Sequence, residues 1–440
     1  MQRISRREFV KRTAVTSAAF TSLPAFLAAC GESTTTSNKP SKLVVAAVQG
    51  NEDGPLKKVV GNYKSQTGIE VQVVEFPYDS LYSKLVTTFQ ANDSSYDLCM
   101  MDDPWMPKFG TMGALQPLDS NFGFTRDPDI PTVVYDVGTW PPPSGPVPPS
   151  EQGKTKHLYG ITIVGNVEMF MYRSDKSSAP TSWDDVLANA AKYNAANFYG
   201  YVIRGKATNP VSSDSLPILW SFGGNVFDDS WKVQLDSSAS ITAVDFLTRK
   251  LKQYAEPGAE SFDAAERSQA MATGKAYQST VWPGEITGIV EDPTVSQVRG
   301  KVAYIPIPQG PSGKGLGMMG NWLLGIPKGS KNGAAAADFI KWMLQPANMR
   351  NYVAQGGIPI RNSILNDASL ASANPYFKAL AASFAAVPNW RPRTDQWGAV
   401  ETSYGTAMNA AVAGQLTPQA AMQKAASEIR TVMKNAGYPS

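Results

Sequence analysis

Apolar residues follow two periods along this chain. Leu43 to Val48 is a nearly unbroken β-branched run fit for a buried strand, and Leu56, Val59, Val60 and Tyr63 then recur at helical spacing. Ile69 to Val74 alternates as a second strand, Leu81, Leu85, Val86 and Phe89 mark a second helix, and Asp97 to Met101 forms a third strand. Strands alternating with helices predict an α/β domain with a largely parallel sheet. Pro141-Pro142-Pro143-Ser144-Gly145-Pro146-Val147-Pro148-Pro149 interrupts the rhythm, and its natural state is polyproline II on the surface. The pattern resumes with strands over Tyr159–Val164 and Val167–Tyr172, and with a helix from Ser182 or Trp183 that has Asp184 and Asp185 in its first turn. The last helix is expected from Thr417 as N-cap and Pro418 at its first position to a stop at Gly437. Met422, Ala425, Ala426, Ile429 and Met433 line its apolar face.

The first thirty residues follow neither period. Ser5-Arg6-Arg7-Glu8-Phe9-Val10-Lys11 resembles a twin-arginine export signal, and Leu27-Ala28-Ala29-Cys30 resembles a lipoprotein cleavage box. Thr13 to Phe26 between them is too short and too polar for a membrane span. Cys30 is therefore the expected lipidated N-terminus, with residues 1–29 a cleaved leader and residues 30–41 a flexible polar tether. The leader carries Arg3, Arg6, Arg7, Lys11 and Arg12 against Glu8, so the formal +3 of the whole chain becomes −1 without it. That removes the electrostatic case for nucleic acid. The 411 residues from Cys30 onward suffice for about two domains. With Cys30 lipidated, Cys99 has no partner for a disulfide and reads as a buried structural thiol.

Catalytic constellations are scarce. His157, the single histidine, lies in a basic stretch beside the proline run and reads as solvated, so no Ser-His-Asp triad and no His/Cys metal site is expected, and no cofactor. Pro308 to Gly315 departs from a phosphate loop at both ends. Asp102 and Asp103, if extended, point to opposite faces and cannot flank one glycosidic bond, while Glu168, Asp228, Asp229, Glu285 and Asp292 leave a converging pair open.

Polar and aromatic side chains collect instead where elements end. Asp102-Asp103-Pro104-Trp105 closes the third strand and opens a helix, the place where ligands sit in open α/β sheets. There Asp accepts from sugar hydroxyls and Trp stacks on a pyranose face; the alternatives are a helix N-cap for Asp103 and a core position for Trp105. Trp282, Asn321-Trp322, Trp390-Arg391-Pro392-Arg393 and Trp397 stand at similar junctions.

Tyr96-Asp97-Leu98, Gly113 to Asp119, Tyr159 to Thr162 with Gly165-Asn166, Thr181 to Asp185 and Ser221 to Gly224 form an ordered series. It continues through Gly325 to Lys328, Ala337 to Trp342, Gly356 to Arg361 and Gly414 to Pro418. The series resembles the family 1 extracellular solute-binding proteins of ABC importers, the group that includes maltose-binding protein. The resemblance implies a type II periplasmic-binding-protein fold. Lobe 1 would be 42–164 plus 306–356 and lobe 2 165–305 plus 357–440, with crossovers near Val164–Asn166, Ile305–Pro308 and Gly356–Pro359 and a ligand clamped between. It implies cleft roles for Asn51, Glu52, Asp102, Asp103, Asn166, Trp282 and Trp397, and Trp105, Asn321, Trp322, Arg361, Arg391 and Arg393 complete the expected ligand-binding set. Asn166 is neutral where maltose-type members carry a carboxylate.

The resemblance and the leader together imply a monomeric, lipid-anchored receptor, not an enzyme, that presents a sugar or polyol to an ABC permease. A glycerol-phosphate or acidic-sugar ligand is the alternative that Arg391 and Arg393 suggest. An extracytoplasmic glycan hydrolase or lectin is the alternative from another class.

Overall fold

The structure is a computed structural model, and it describes residues 39–386 and 388–439. The export signal, the lipidation site Cys30 and most of the tether lie outside the described residues.

Two sheets organise the chain. The first has the order Glu70–Phe76, Lys42–Val48, Leu98–Asp102, Trp322–Gly325, Gly160–Val164. Lys42–Val48 pairs in parallel with both of its neighbours, with Val45 opposite Val73 and Leu98. Trp322–Gly325 runs antiparallel to Leu98–Asp102 and to Gly160–Val164, because it enters after the chain has returned from the other lobe. The second sheet, Gln278–Val281, Met169–Arg173, Val302–Ile305, is antiparallel throughout. The parallel expectation therefore holds for the αβ units at the start of the chain and fails where strands arrive from a distance.

Local signals explain the helices. Gly54–Thr67 buries Pro55, Leu56, Val59 and Tyr63 and ends at Gly68, whose φ of 77° favours a residue without Cβ. Ser182 caps Trp183–Tyr193, its hydroxyl accepting from Asp185 N at 3.1 Å while the Asp185 carboxylate closes the reciprocal box. Thr417 caps the terminal helix Pro418–Asn435, which buries the five apolar residues of the expected face.

The lobes are joined by strands that run side by side. After Val164 the chain crosses through Gly165 and Asn166, and it returns through Met318 to Asn321: Glu168 N donates to Met318 O at 2.8 Å and Gly320 N to Asn166 O at 3.0 Å. This return lies later than the expected Ile305–Pro308. Residues 306–317 stay with the second lobe, where Trp183 N donates to Gln309 O (2.9 Å) and Ser312 Oγ to Ser221 O (2.7 Å). The Gly356–Pro359 stretch runs against Gly165, whose N–H donates to Ile358 O at 3.2 Å; a Cβ at Gly165 would stand 2.4 Å from Pro359 O.

The proline run departs from a bland surface insertion. Pro141, Pro142 and Pro148 are buried, and Val147 O accepts a 3.3 Å hydrogen bond from Trp231 Nε1 of the second lobe. His157 is half-buried, with Nδ1 3.2 Å from Asp119 Oδ2, instead of solvated. Cys99 is fully buried, and burial pushes its thiol well above the usual range. No helix among the described residues is long and apolar enough to cross a membrane.

Candidate functional site

Asp102 ends its strand in extended conformation, and Asp103 already belongs to a 3-10 turn, Asp103–Trp105, that leads into the helix Met106–Thr111. The turn overrides the alternation expected of adjacent residues in a strand. Both carboxylates face one way, and Arg391 Nη2 reaches Asp102 Oδ1 at 3.1 Å and Asp103 Oδ1 at 3.0 Å. Tyr78 OH donates to Asp102 Oδ2 (2.8 Å), and Asn321 N donates to Asp103 Oδ2 (3.0 Å) while Asp103 N donates to Asn321 O (3.0 Å). Two carboxylates on one guanidinium are tolerable when buried because the cation offsets their repulsion.

Several buried polar atoms around this pair have no hydrogen-bond partner among the described residues: Asn166 Oδ1, Asn321 Oδ1 and Arg391 Nε. Asn166 is 3% exposed and Asn321 0%. Buried polar groups are nearly always paired, since leaving one bare costs about 1–3 kcal/mol. Three such bare groups lie close together at one lobe junction.

Acids complete the enclosure. Glu401, on the helix Trp397–Val412, accepts from Asn209 Nδ2 at 3.1 Å; burial pushes its carboxyl up to about 7, against Arg391 and with Asp102. Burial likewise raises Asp103 to about 7, though Arg391 opposes it, and raises Glu52 to about 7 with help from Glu285 and Asp102. Asn51 and Glu52 lean on the second lobe: a Cβ at Gly288 would stand 2.8 Å from Asn51 Oδ1, and one at Gly284 3.5 Å from Glu52 Oε1. Trp282 is half-buried with its ring across Gly320, where a Cβ would come within 2.5 Å of a ring carbon.

Residues 47–350 match the family model of the bacterial extracellular solute-binding protein. The chain belongs to this family. It is a solute-binding protein and not an enzyme. A probable amino-acid ABC transporter periplasmic-binding protein of Sinorhizobium fredii is 26% identical over 408 residues, covering 90% of each chain. The mannitol-binding protein of Pseudomonas aeruginosa is 24% identical over 429 residues, covering 90% of this chain and 94% of its own. The crystal structure of an Agrobacterium radiobacter ABC transporter solute-binding protein with ribitol has the same two-lobed fold. It superposes with a TM-score of 0.78 at 23% identity, covering 90% of this chain and all of that one.

In this solute-binding protein several expected site residues lie elsewhere. Trp105 and Trp322 are each 6% exposed and pack edge to face with one another at 5.6 Å, Tyr78 sitting against both, so they support the site from the core. Arg361 staples a loop, holding Asp127 at 2.6 Å, Asp129 at 3.0 Å and Leu344 O at 2.8 Å. Arg393 donates to Val137 O at 2.7 Å and Thr139 O at 3.0 Å, and burial lowers its guanidinium to about 10. Trp397 is buried at 2% exposure in the second-lobe core, one helical turn before Glu401.

Sequence reasoning passed over Tyr78 and Glu401, and it left Glu168 and Glu285 open as converging acids without the Arg267 that gathers them in the second lobe. Arg267, 0% exposed, contacts Asp214 and Glu285, donates to Thr280 Oγ1 at 2.9 Å and shares Glu285 with Ser268 Oγ (2.6 Å). Arg204 adds a 3.3 Å contact to Asp214. Glu168, fully buried beside them, has both oxygens unpartnered among the described residues, and burial with Asp214 raises its carboxyl well above the usual range. The spacing of Glu401 after Trp397 was a readable signal; Arg267 had none, since its partners come from separate segments. Of the other acids left open, Asp292 caps a turn at Thr294. Among the described residues no group of three His, Cys, Asp or Glu side chains could hold a metal.

A cavity of about 520 Å³ lies apart from this cluster. Its walls come from the first lobe (Pro131 to Pro146), the second lobe (Trp220 to Trp231) and the connecting segment around Trp390, and it shares only Arg393 with the expected site.

Proposed function

We propose that this chain is the receptor of an ABC import system and that it binds a neutral polyol or sugar between its lobes, at Asp102, Asp103, Asn166, Asn321, Arg391 and Glu401. The observation that carries this reading is the set of buried, unpartnered polar atoms on Arg391 and on Asn321 and Asn166, whose backbones lie beside the Asp102–Asp103 pair. A polyhydroxyl chain both donates and accepts at every carbon, so it answers bare amide oxygens and carboxylates together. Asn51, Glu52 and Trp282 enclose it from either lobe, Trp282 supplying an apolar face. A phosphate or acidic sugar fits less well, because Arg391 is already neutralised by two carboxylates and further acids surround it. The mannitol-binding relative and the ribitol-bound structure support the polyol class. In the same reading the twin-arginine leader exports the folded chain, acylated Cys30 holds it to the membrane as a monomer, and the tether keeps it within reach of the permease.

A ligand panel read by thermal shift tests the binding site, the stabilisation growing as RT ln(1 + [L]/Kd). D-mannitol, ribitol or maltose should give a saturable shift, and sugar phosphates and free amino acids none. A saturable response only to phosphates or amino acids would overturn the reading. Release of Cys30→Ser from the membrane fraction tests the anchor; retention of the variant would overturn that part alone.

A further inference from the structure

Glu168 lies two residues past Asn166, where the chain enters the second lobe, and it is fully buried with both carboxyl oxygens bare among the described residues. Resting on the reading of the cleft as a polyol or sugar site, we infer that Glu168 is a solute-contacting residue, whose carboxyl takes a hydroxyl of the bound solute beside Asn166 and the Trp282 ring.

Strand register brings these side chains together. Met169 pairs with Val281 and Phe170 with Thr280, so the next rung of the ladder sets Glu168 opposite Trp282, which is itself extended. Side chains alternate along a strand, so Asn166 and Glu168 share a face, one on either side of the Val167 bridge to Met319. The same bridge sets Gly320 opposite Asn166, with Gly320 N donating to Asn166 O at 3.0 Å. A Cβ at Gly320 would point to that shared face, and it would meet the Trp282 ring at 2.5 Å. The indole therefore crosses the strand on the face that carries Asn166 and Glu168.

The charged groups around Glu168 are committed to one another. Arg267 holds Asp214, Glu285 and Thr280 Oγ1, Arg204 holds Asp214 and Asp263, and the Thr280 hydroxyl donates to Asp214 Oδ2 at 2.9 Å. Burial, with the charge of Asp214, pushes the Glu168 carboxyl well above the usual range against the pull of Arg267 and Arg204, so near neutral pH it keeps its proton. A protonated carboxyl donates through one oxygen and accepts through the other. A solute hydroxyl answers both roles, and Asn166 Oδ1, also bare, accepts from its neighbour along a polyhydroxyl chain.

A scaffold role fits these observations poorly. A polar group left bare in a core destabilises the chain that carries it, and an apolar side chain of similar volume would remove that penalty. Glu168 makes no side-chain hydrogen bond among the described residues that would offset it. Stability given up at a position that a bound solute satisfies is the mark of a binding residue.

The test compares Glu168→Met and Glu168→Gln with the parent chain, reading affinity for D-mannitol, ribitol and maltose by calorimetry and the melting midpoint without solute. Glu168→Met should melt higher than the parent and yet bind the solute that the parent takes about tenfold more weakly. Glu168→Gln keeps a donor and an acceptor, and its affinity should stay within about threefold of the parent's. A melting midpoint below the parent's in Glu168→Met would assign the residue to the scaffold, and unchanged affinity in that variant would place it off the solute. Affinity lost as fully in Glu168→Gln as in Glu168→Met would deny the hydroxyl contact. Each of these overturns the inference and leaves the cleft reading intact, whereas a parent chain that binds none of the three solutes overturns both.

Discussion

Two buried charge clusters sit within the same molecule and differ in one respect. The Arg267 cluster is assembled inside the second lobe, and its guanidinium meets carboxylates and a hydroxyl on every side. The Arg391 cluster spans the lobes, and it leaves Arg391 Nε, Asn166 Oδ1 and Asn321 Oδ1 bare among the described residues. Burial is equally deep in both, so burial alone does not distinguish scaffold from site. The guanidinium differs: every nitrogen of Arg267 has a partner whereas Arg391 Nε has none, although Glu168 beside Arg267 also keeps both oxygens bare, so the contrast rests on the two arginines and not on the whole clusters.

The largest way to strain this contrast is Arg267→Met, which strands Asp214 and Glu285 and should cost about 3–5 kcal/mol in a urea titration. Solute affinity of the remaining folded protein should hold. A small loss would mean that a fully partnered guanidinium does not mark the scaffold. Asp103→Asn should do the reverse, weakening solute binding by about 10–100-fold, the range for a hydrogen bond to a charged group, with a far smaller stability change. Unchanged affinity by calorimetry would end the distinction. Trp282→Ala should reduce affinity by about tenfold while the protein stays folded, as expected for one aromatic face.

The contrast also extends to pH. Asp103, Glu52 and Glu401 have carboxyls near 7 in the folded chain against ordinary values near 4 when unfolded. Between those values the folded chain retains protons that the unfolded chain has released, so stability present at low pH is lost as pH rises through about 7. The melting midpoint should therefore drop from pH 5 to pH 8, by about 1 °C for each 1 kcal/mol lost in a protein of this size. The drop should shrink in Glu401→Gln; an identical slope would show that the open cluster does not bear the titration.

Much of the fold was legible. The helix over Gly54–Thr67 and the terminal helix from Pro418 carry their signals within single windows of sequence, and so does the turn at Asp102–Trp105. Strand direction was not, because Trp322–Gly325 is placed by partners far away in the chain. The site divides in the same way. Asp102, Asp103, Asn166 and Asn321 stand at junctions visible in sequence, and the structure brings them together. Arg361, Arg393, Trp105 and Trp322 stand at similar junctions, yet carboxylates, carbonyls and neighbouring rings claim them, and residue type alone does not reveal which partner a side chain finds. Glu401 was missed although it follows Trp397 by one helical turn, because the junction residues and not the turn behind them drew the reading.

The anchorage of Arg393 has a consequence for how this protein tolerates change. Its two acceptors, at Val137 and Thr139, are main-chain carbonyls, which every amino acid supplies. Drift at positions 137 and 139 therefore leaves the tie between lobes in place so long as the backbone keeps its course, whereas loss of the arginine severs it. The connection therefore depends on the side chain of one partner only.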